Sequence, residues 1–243
     1  QVARNEFGTP LLDSAFRLAQ EAAAYPIMIY ANADIIFLSD LPTAVRRIPF
    51  KRYLIVGRRT KLDLDHALDI PGNNWEKRLR EYAQEKGKLF DPTGIDYFIF
   101  PRHQLRDIPP FAVGRVCWDN WMIYHARQRR IPVIDATAAI LAVHQNHDYG
   151  HIQNGKEAVW NGPEAQRNLE LAGGWDHIFL ITDATWKLNR EFLFPALSVE
   201  NIKRRWKTKW ALHPKIFRFL VKLWGLRRFP AQVLSGKKAG KDH

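Results

Sequence analysis

The stretch Ile27 to Phe37, IMIYANADIIF, decides how this chain is read. Ile27-Met28-Ile29-Tyr30 is a short apolar run and predicts a buried strand. It stops at Ala31-Asn32-Ala33-Asp34, and a second apolar run, Ile35-Ile36-Phe37, follows at once. An ionisable Asp between two strand-like runs is costly to bury unless something pairs with it. A divalent cation is a natural partner, because hard cations take carboxylate and amide oxygens. Asn32 and Asp34 are two apart, so an extended segment points both to one side, toward one ion or one sugar. The same residues also suit a strand end in which Asn and Asp form a turn.

Working outward, Thr9-Pro10 predicts an N-cap and first helical position, with Leu11, Leu12, Ala15, Phe16 and Ala19 as an apolar stripe. A short helix is expected near Pro42–Arg47, and strands at Tyr53–Gly57 and Asp96–Phe100. A polar helix runs from Trp75 to Lys86, closed by Gly87. Trp118 to Arg130 reads as a helix with Asp119 in its first turn and basic residues in its last, as the macrodipole prefers. Val133-Ile134 is a strand, Pro163–Leu171 a helix, and Ile178–Ile181 a last strand. Strands alternate with helices, so a mixed α/β sheet is expected, with ligands outside the carboxyl ends of its strands. Asp34, Arg58 and Arg59 all fall there.

The net charge of +12 invites a nucleic-acid reading, but its distribution argues against one. Residues 201–243 hold 13 Lys and Arg against one acid, Asp242, which leaves residues 1–200 with 24 of each sign. The basic tail is therefore a separate question from the body. Within it, Ile216, Phe217, Phe219, Leu220, Leu223, Trp224 and Leu226 form an apolar face opposite Lys215, Arg218 and Lys222. That pattern suits a helix lying on an anionic membrane surface, or one packed on the body. Cys117 is the one cysteine, which excludes an intramolecular disulfide and points to a reducing, cytoplasmic compartment. No window is apolar for long enough to span a bilayer.

Three further clusters carry chemistry. In Val143-His144-Gln145-Asn146-His147-Asp148-Tyr149-Gly150-His151, three His and an Asp crowd a segment expected to be a loop. His144 suits a cation as a neutral imidazole, His and Asp together suit zinc, and a hydrogen-bonded surface loop accounts for the same residues. In Cys117-Trp118-Asp119-Asn120-Trp121, the Asp either caps a helix or sits among aromatics as a general base with a raised pKa. Trp faces also suit sugar rings. Arg58, Arg59 and Lys61 are candidate diphosphate partners or a solvated charge run. Gly94, before Ile95-Asp96, marks a tight turn or a close backbone approach.

The order of these motifs is more specific than any one of them. A strand–Asn-Ala-Asp–strand unit, a Gly-Ile-Asp strand, a Trp-Asp helix start and the HQNHDYGH string together resemble the GT-A superfamily of nucleotide-sugar glycosyltransferases. The resemblance runs from about Gly8 to about His151 and more loosely to Ile181. Asn32-Ala33-Asp34 looks like that family's DxD-like motif, with Asn in place of its first Asp. It implies Mn²⁺ or Mg²⁺ held by Asp34, Asn32, His144 and His147, with Arg58 and Arg59 on the donor diphosphate. Asp119 stands where an acidic helix start serves acceptor activation, although Asp-Asn replaces the Glu-Asp of many members. Gly94, Asp96, Trp118 and Trp121 are then expected at the acceptor or sugar.

The implied fold is a GT-A-like mixed, mostly parallel sheet flanked by helices over residues 1–200, with a basic helical tail over 201–243. Only 31 residues precede Asn32, and they read as one helix, so the nucleotide-binding portion is expected to be truncated. The expected reaction moves a sugar from a nucleoside-diphosphate donor to a hydroxyl of a saccharide or lipid-linked acceptor. The protein would be cytoplasmic and peripheral at the inner face of a membrane, with no nucleic-acid partner. Two alternatives remain: a non-catalytic GT-A-like carbohydrate-binding or scaffold protein, and a metal-dependent hydrolase built on His144, His147 and His151.

Overall fold

The computed structural model describes residues 1–64, 74–146 and 159–223. His147 and His151 of the His-rich string, and the tail from Trp224 onward, lie outside the described residues. The chain is α/β, as expected, but its strands divide between two mixed sheets. The larger sheet takes β1 (Ile27–Ala31), β3 (Leu54–Val56), β6 (Tyr97–Pro101), β7 (Val133–Asp135), β9 (Trp186–Leu188) and β10 (Leu193–Pro195), in the order β1-β6-β3-β7-β9-β10. Its centre, β3-β7-β9, is parallel, and its outer pairings are antiparallel. The smaller sheet, β2-β8-β4-β5, is built from β2 (Ile35–Phe37), β4 (Arg59–Leu62), β5 (Lys88–Leu89) and β8 (Ala142–Gln145).

Three chain segments cross from the larger sheet to the smaller one: β1 runs into β2, β3 into β4, and β7 into β8. β1, β3 and β7 all end at this seam, and β6 begins there, because β6 runs antiparallel to both β1 and β3. Each crossing puts polar residues where apolar strands stop: Asn32-Asp34, Arg58-Arg59 and Thr137.

Helices α1 (Leu12–Ala22), α2 (Asp40–Arg46), α3 (Trp75–Lys86), α4 (Trp118–Gln128), α5 (Pro163–Ala172), α6 (Val199–Leu212) and α7 (Pro214–Leu223) flank the sheets. Period-2 alternation in β3 sends Leu54 and Val56 to the face covered by α1 and α4, with Phe16, Met122 and Phe98. Ile55 points to the opposite face, with Ala44, Tyr97 and Ile134. A third, smaller cluster places Leu79 and Ala83 of α3 on Leu62 and Val143 of the small sheet.

Several local expectations are corrected. Thr9-Pro10 does not start α1. Pro10 bridges to Arg4 in extended chain, the helix begins at Leu12, and Asn5 Oδ1 accepts from the Thr9 N–H at 2.9 Å. β1 is an edge strand rather than a buried one, with Ile27 and Ile29 exposed on its open face. His144 belongs to strand β8, not to a loop, and Arg59 to strand β4. Ile178–Ile181 forms no strand. Phe179 and Ile181 are buried as that segment crosses the core between two 3₁₀ turns, and the last strands come later, at β9 and β10. The division at residue 200 falls inside the first turn of α6, which packs on the body. No described helix is long and apolar enough to cross a membrane.

Candidate functional site at the seam between the sheets

β1 ends at Ala31, and the chain turns at once: the Ile35 N–H donates to the Asn32 carbonyl at 3.3 Å. Asn32-Ala33-Asp34 is therefore a turn and not an extended segment, so its two polar side chains do not share a direction. Asn32 faces β6. Its backbone N–H donates to the Asp96 carbonyl at 2.9 Å, and its Nδ2 donates to Asp96 Oδ1 at 2.9 Å. Asp34 faces β8, where His144 Nε2 lies 3.1 Å from its Oδ2. Ile35 pairs with His144 across β2 and β8, and that register brings together two side chains that are far apart in the sequence.

Asp96 is itself paired. Arg59 Nη1 lies 2.5 Å from its Oδ1, and the two side chains are 13% and 6% exposed. The Arg59 guanidinium stacks over Phe90, 4.0 Å from the ring centroid, and the Lys61 ammonium lies 4.4 Å from the same ring. Phe90 reaches this position because Gly94 has no side chain: a Cβ there would lie 2.4 Å from Phe90 Cδ1 and Cε1. The glycine read in the sequence as a close approach is one. Arg58 is also engaged, donating Nε to the Phe90 carbonyl and its backbone N–H to Thr137 Oγ1 at 3.0 Å. The two arginines expected to be open to a diphosphate thus hold the seam together.

Asp119 lies in the first turn of α4. Its carboxyl is pushed up to about 7, chiefly by burial. The negative charge of Asp96 adds to the rise, while the backbone N–H groups of Asn120 and Asp119 and the Arg59 charge oppose it. The N-cap of α4, Cys117, has φ 85°, a conformation that L side chains adopt at a cost and that often marks a functional turn. Asn120 ties the turn down by donating to the Phe179 carbonyl at 2.7 Å.

Tyr30 connects these groups. Its phenol is pushed up to about 12 by burial and then by the charges of Asp119, Asp96 and Asp34 in turn. Three carboxylates from different parts of the seam thus add to the rise at one tyrosine. Sequence reasoning missed Tyr30, although it lies on β1 one residue before the Ala-Asn-Ala-Asp break. It also missed the Arg59–Asp96 pair, which only the crossing of β3 into β4 creates. Trp118 and Trp121 are not sugar platforms: both are buried, Trp118 edge-on against Tyr30 and Trp121 against Phe111.

By donor chemistry, a divalent cation fits the Asp34 carboxylate and the His144 imidazole, whereas Asn32, expected beside them, is turned to Asp96. Among the described residues no cluster of three or more His, Cys, Asp or Glu is arranged to hold a metal. A cleft of about 450 Å³, lined by Arg127, Arg130, Trp186 and His213, opens at the other end of β7 and has no carboxylate in its wall. No family model, curated protein or solved structure matches the chain at a significant level.

Proposed function

We propose that the chain is a GT-A-like, metal-dependent glycosyltransferase that moves a sugar from a nucleoside-diphosphate donor to a hydroxyl acceptor. The reading is carried by one observation: the Asp34–His144 pair at 3.1 Å shares a seam with Asp119, an acid whose pKa stands near 7. The motif order in the sequence supports it. Asp34 and His144 would hold Mn²⁺ or Mg²⁺, which when bound supplies Lewis-acid stabilisation of the departing diphosphate. Asp119 acts as the general base. In an inverting displacement the acceptor oxygen bonds to the anomeric carbon as the bond to the diphosphate oxygen breaks, and the hydroxyl proton passes to Asp119. In a retaining displacement Asp119 orients that hydroxyl. Arg59 holds Asp96, and through it the turn that presents Asp34.

The decisive measurement is a calorimetric titration of the chain with Mn²⁺ in the presence of a panel of nucleoside diphosphates. One diphosphate is expected to bind only with the metal, and Asp34→Ala and His144→Ala are expected to abolish that binding without changing the circular dichroism. Metal-independent affinity, or full affinity in both variants, would overturn the assignment. A non-catalytic carbohydrate-binding role draws on a different observation, that Arg58 and Arg59 are already engaged within the fold. Saccharide binding with no diphosphate affinity would select it.

A further inference from the structure

Helix α6 is amphipathic in reverse. Its inward side is largely polar, with Ala211 and Leu212 packed on the core at its C-terminal end. Asn201 donates Nδ2 to the Thr182 carbonyl at 2.7 Å, and Arg204 Nε lies 3.0 Å from the carboxylate of fully buried Asp183. Arg205 donates to the Ala196 carbonyl at 2.9 Å, and Thr208 Oγ1 lies 3.3 Å from Asp183 Oδ1. Its outward side carries Val199, Ile202, Trp206 and Trp210, which are 69%, 43%, 67% and 38% exposed. Steps of three and four residues place them along one stripe. Lys203 and Lys207 are exposed beside it, and the Lys209 ammonium lies 4.2 Å from the Trp206 ring centroid and 4.5 Å from that of Trp210. Trp210 meets Phe217 at 5.3 Å, and α7 adds exposed Ile216 and Phe219 beside Lys215 and Arg218. A helix that buries its polar residues and exposes Trp and Ile presents its apolar face to something other than its own core.

We propose that the outward face of α6, continued by α7, docks on an anionic lipid surface. Charge selects this occupant. Residues 201–243 carry 13 basic residues and one acid, which anionic headgroups complement. A second copy would bring like charge to like, and the chain's own residues beyond 223 carry the same sign. Trp rings suit the boundary between headgroups and acyl chains, and lysine stems let the ammonium groups stay in the polar layer. The sequence placed an apolar face only from Ile216 onward; the fold adds α6, and the Arg204–Asp183 pair links the docked face to the body. The inference is independent of the glycosyltransferase reading, since it requires neither metal nor nucleotide.

The test sediments the full chain with phosphatidylcholine vesicles, with and without phosphatidylglycerol. Two double variants are compared, Ile202→Ser with Trp206→Ser, and Lys203→Glu with Lys207→Glu; all four positions face outward. The full chain is expected to pellet only with phosphatidylglycerol, and each double variant to lose about tenfold or more in partition. Trp206→Gln alone serves as the readout should a double substitution lower the melting temperature. Failure of the parent chain to bind, equal binding to both vesicles, or unchanged binding in either variant would overturn the proposal. So would a dimer in sedimentation equilibrium that the Ile202/Trp206 variant dissolves, which would assign the face to a second copy.

Discussion

Asp119 makes the protein sensitive to pH in a defined direction. Burial raises its carboxyl from the ordinary range to about 7, so the folded chain holds a proton that the unfolded chain releases near pH 4. Between those values the native state binds more protons than the unfolded state, and stability falls as pH rises through this window. Denaturant midpoints measured from pH 4 to pH 8 are expected to decline and then level off above about 7 in the parent chain. Asp119→Asn is expected to flatten that decline. In the proposed reaction the base works only when ionised, so turnover should rise through the same pKa, and the variant should lose about 10²–10⁴-fold in kcat. A variant that keeps both its pH slope and its rate would show that Asp119 only caps α4. Cys117, two residues before Asp119, is buried, and its thiol is pushed up to about 12, mainly by burial, which keeps it from acting as a thiolate nucleophile.

Helix α6 is anchored in part by one buried group. Asp183 is fully buried, and its carboxylate takes the Leu180 N–H at 2.8 Å, the Arg204 guanidinium and the Thr208 hydroxyl. Its carbonyl accepts from Arg127 of α4, so two helices converge on one residue. Ser198 completes the arrangement by accepting from the Asn201 N–H at 3.3 Å as the N-cap. Removing one partner of such a pair leaves the other charge buried without compensation. Asp183→Ala is expected to lower stability by about 3–5 kcal/mol, read from urea unfolding. Ser198→Ala should cost only about 1 kcal/mol. Equal effects of the two would mean that α6 is held by its apolar contacts and not by Asp183.

At the scale of the whole molecule, the seam is where three segments pass from the larger sheet to the smaller one, and its charges are the cement. The Asn32–Asp96–Arg59 chain of contacts ties the β1–β2 turn, the start of β6 and β4 into one unit. Arg59→Met is therefore expected to destabilise the fold by about 3–5 kcal/mol, because Asp96 stays buried without its partner. Arg59→Met with Asp96→Leu should recover much of that loss, since replacing both charges removes the unpaired one. A double mutant cycle by chemical unfolding measures the coupling. Additive losses would show that the two residues act separately.

The α/β class, α3, α4, α5 and the strand at Leu54–Val56 were legible in the sequence alone, because local periodicity and capping residues set them. Gly94 was legible as a close approach, since only a residue without a side chain fits against Phe90. The apolar-polar-apolar break at Asn32-Asp34 correctly marked a place where the chain leaves a sheet. The pairing of Asp34 with His144 was expected from motif order together with the fit of both residues to one cation, and the β2–β8 register brings the two side chains together. Tertiary structure alone decided the rest. Two sheets rather than one, the burial of Trp118 and Trp121, the engagement of Arg58 and Arg59, and the outward apolar stripe of α6 all depend on which strand ends and which helix face meet. Such contacts join residues tens of positions apart, and periodicity reads only the few residues on either side of each position.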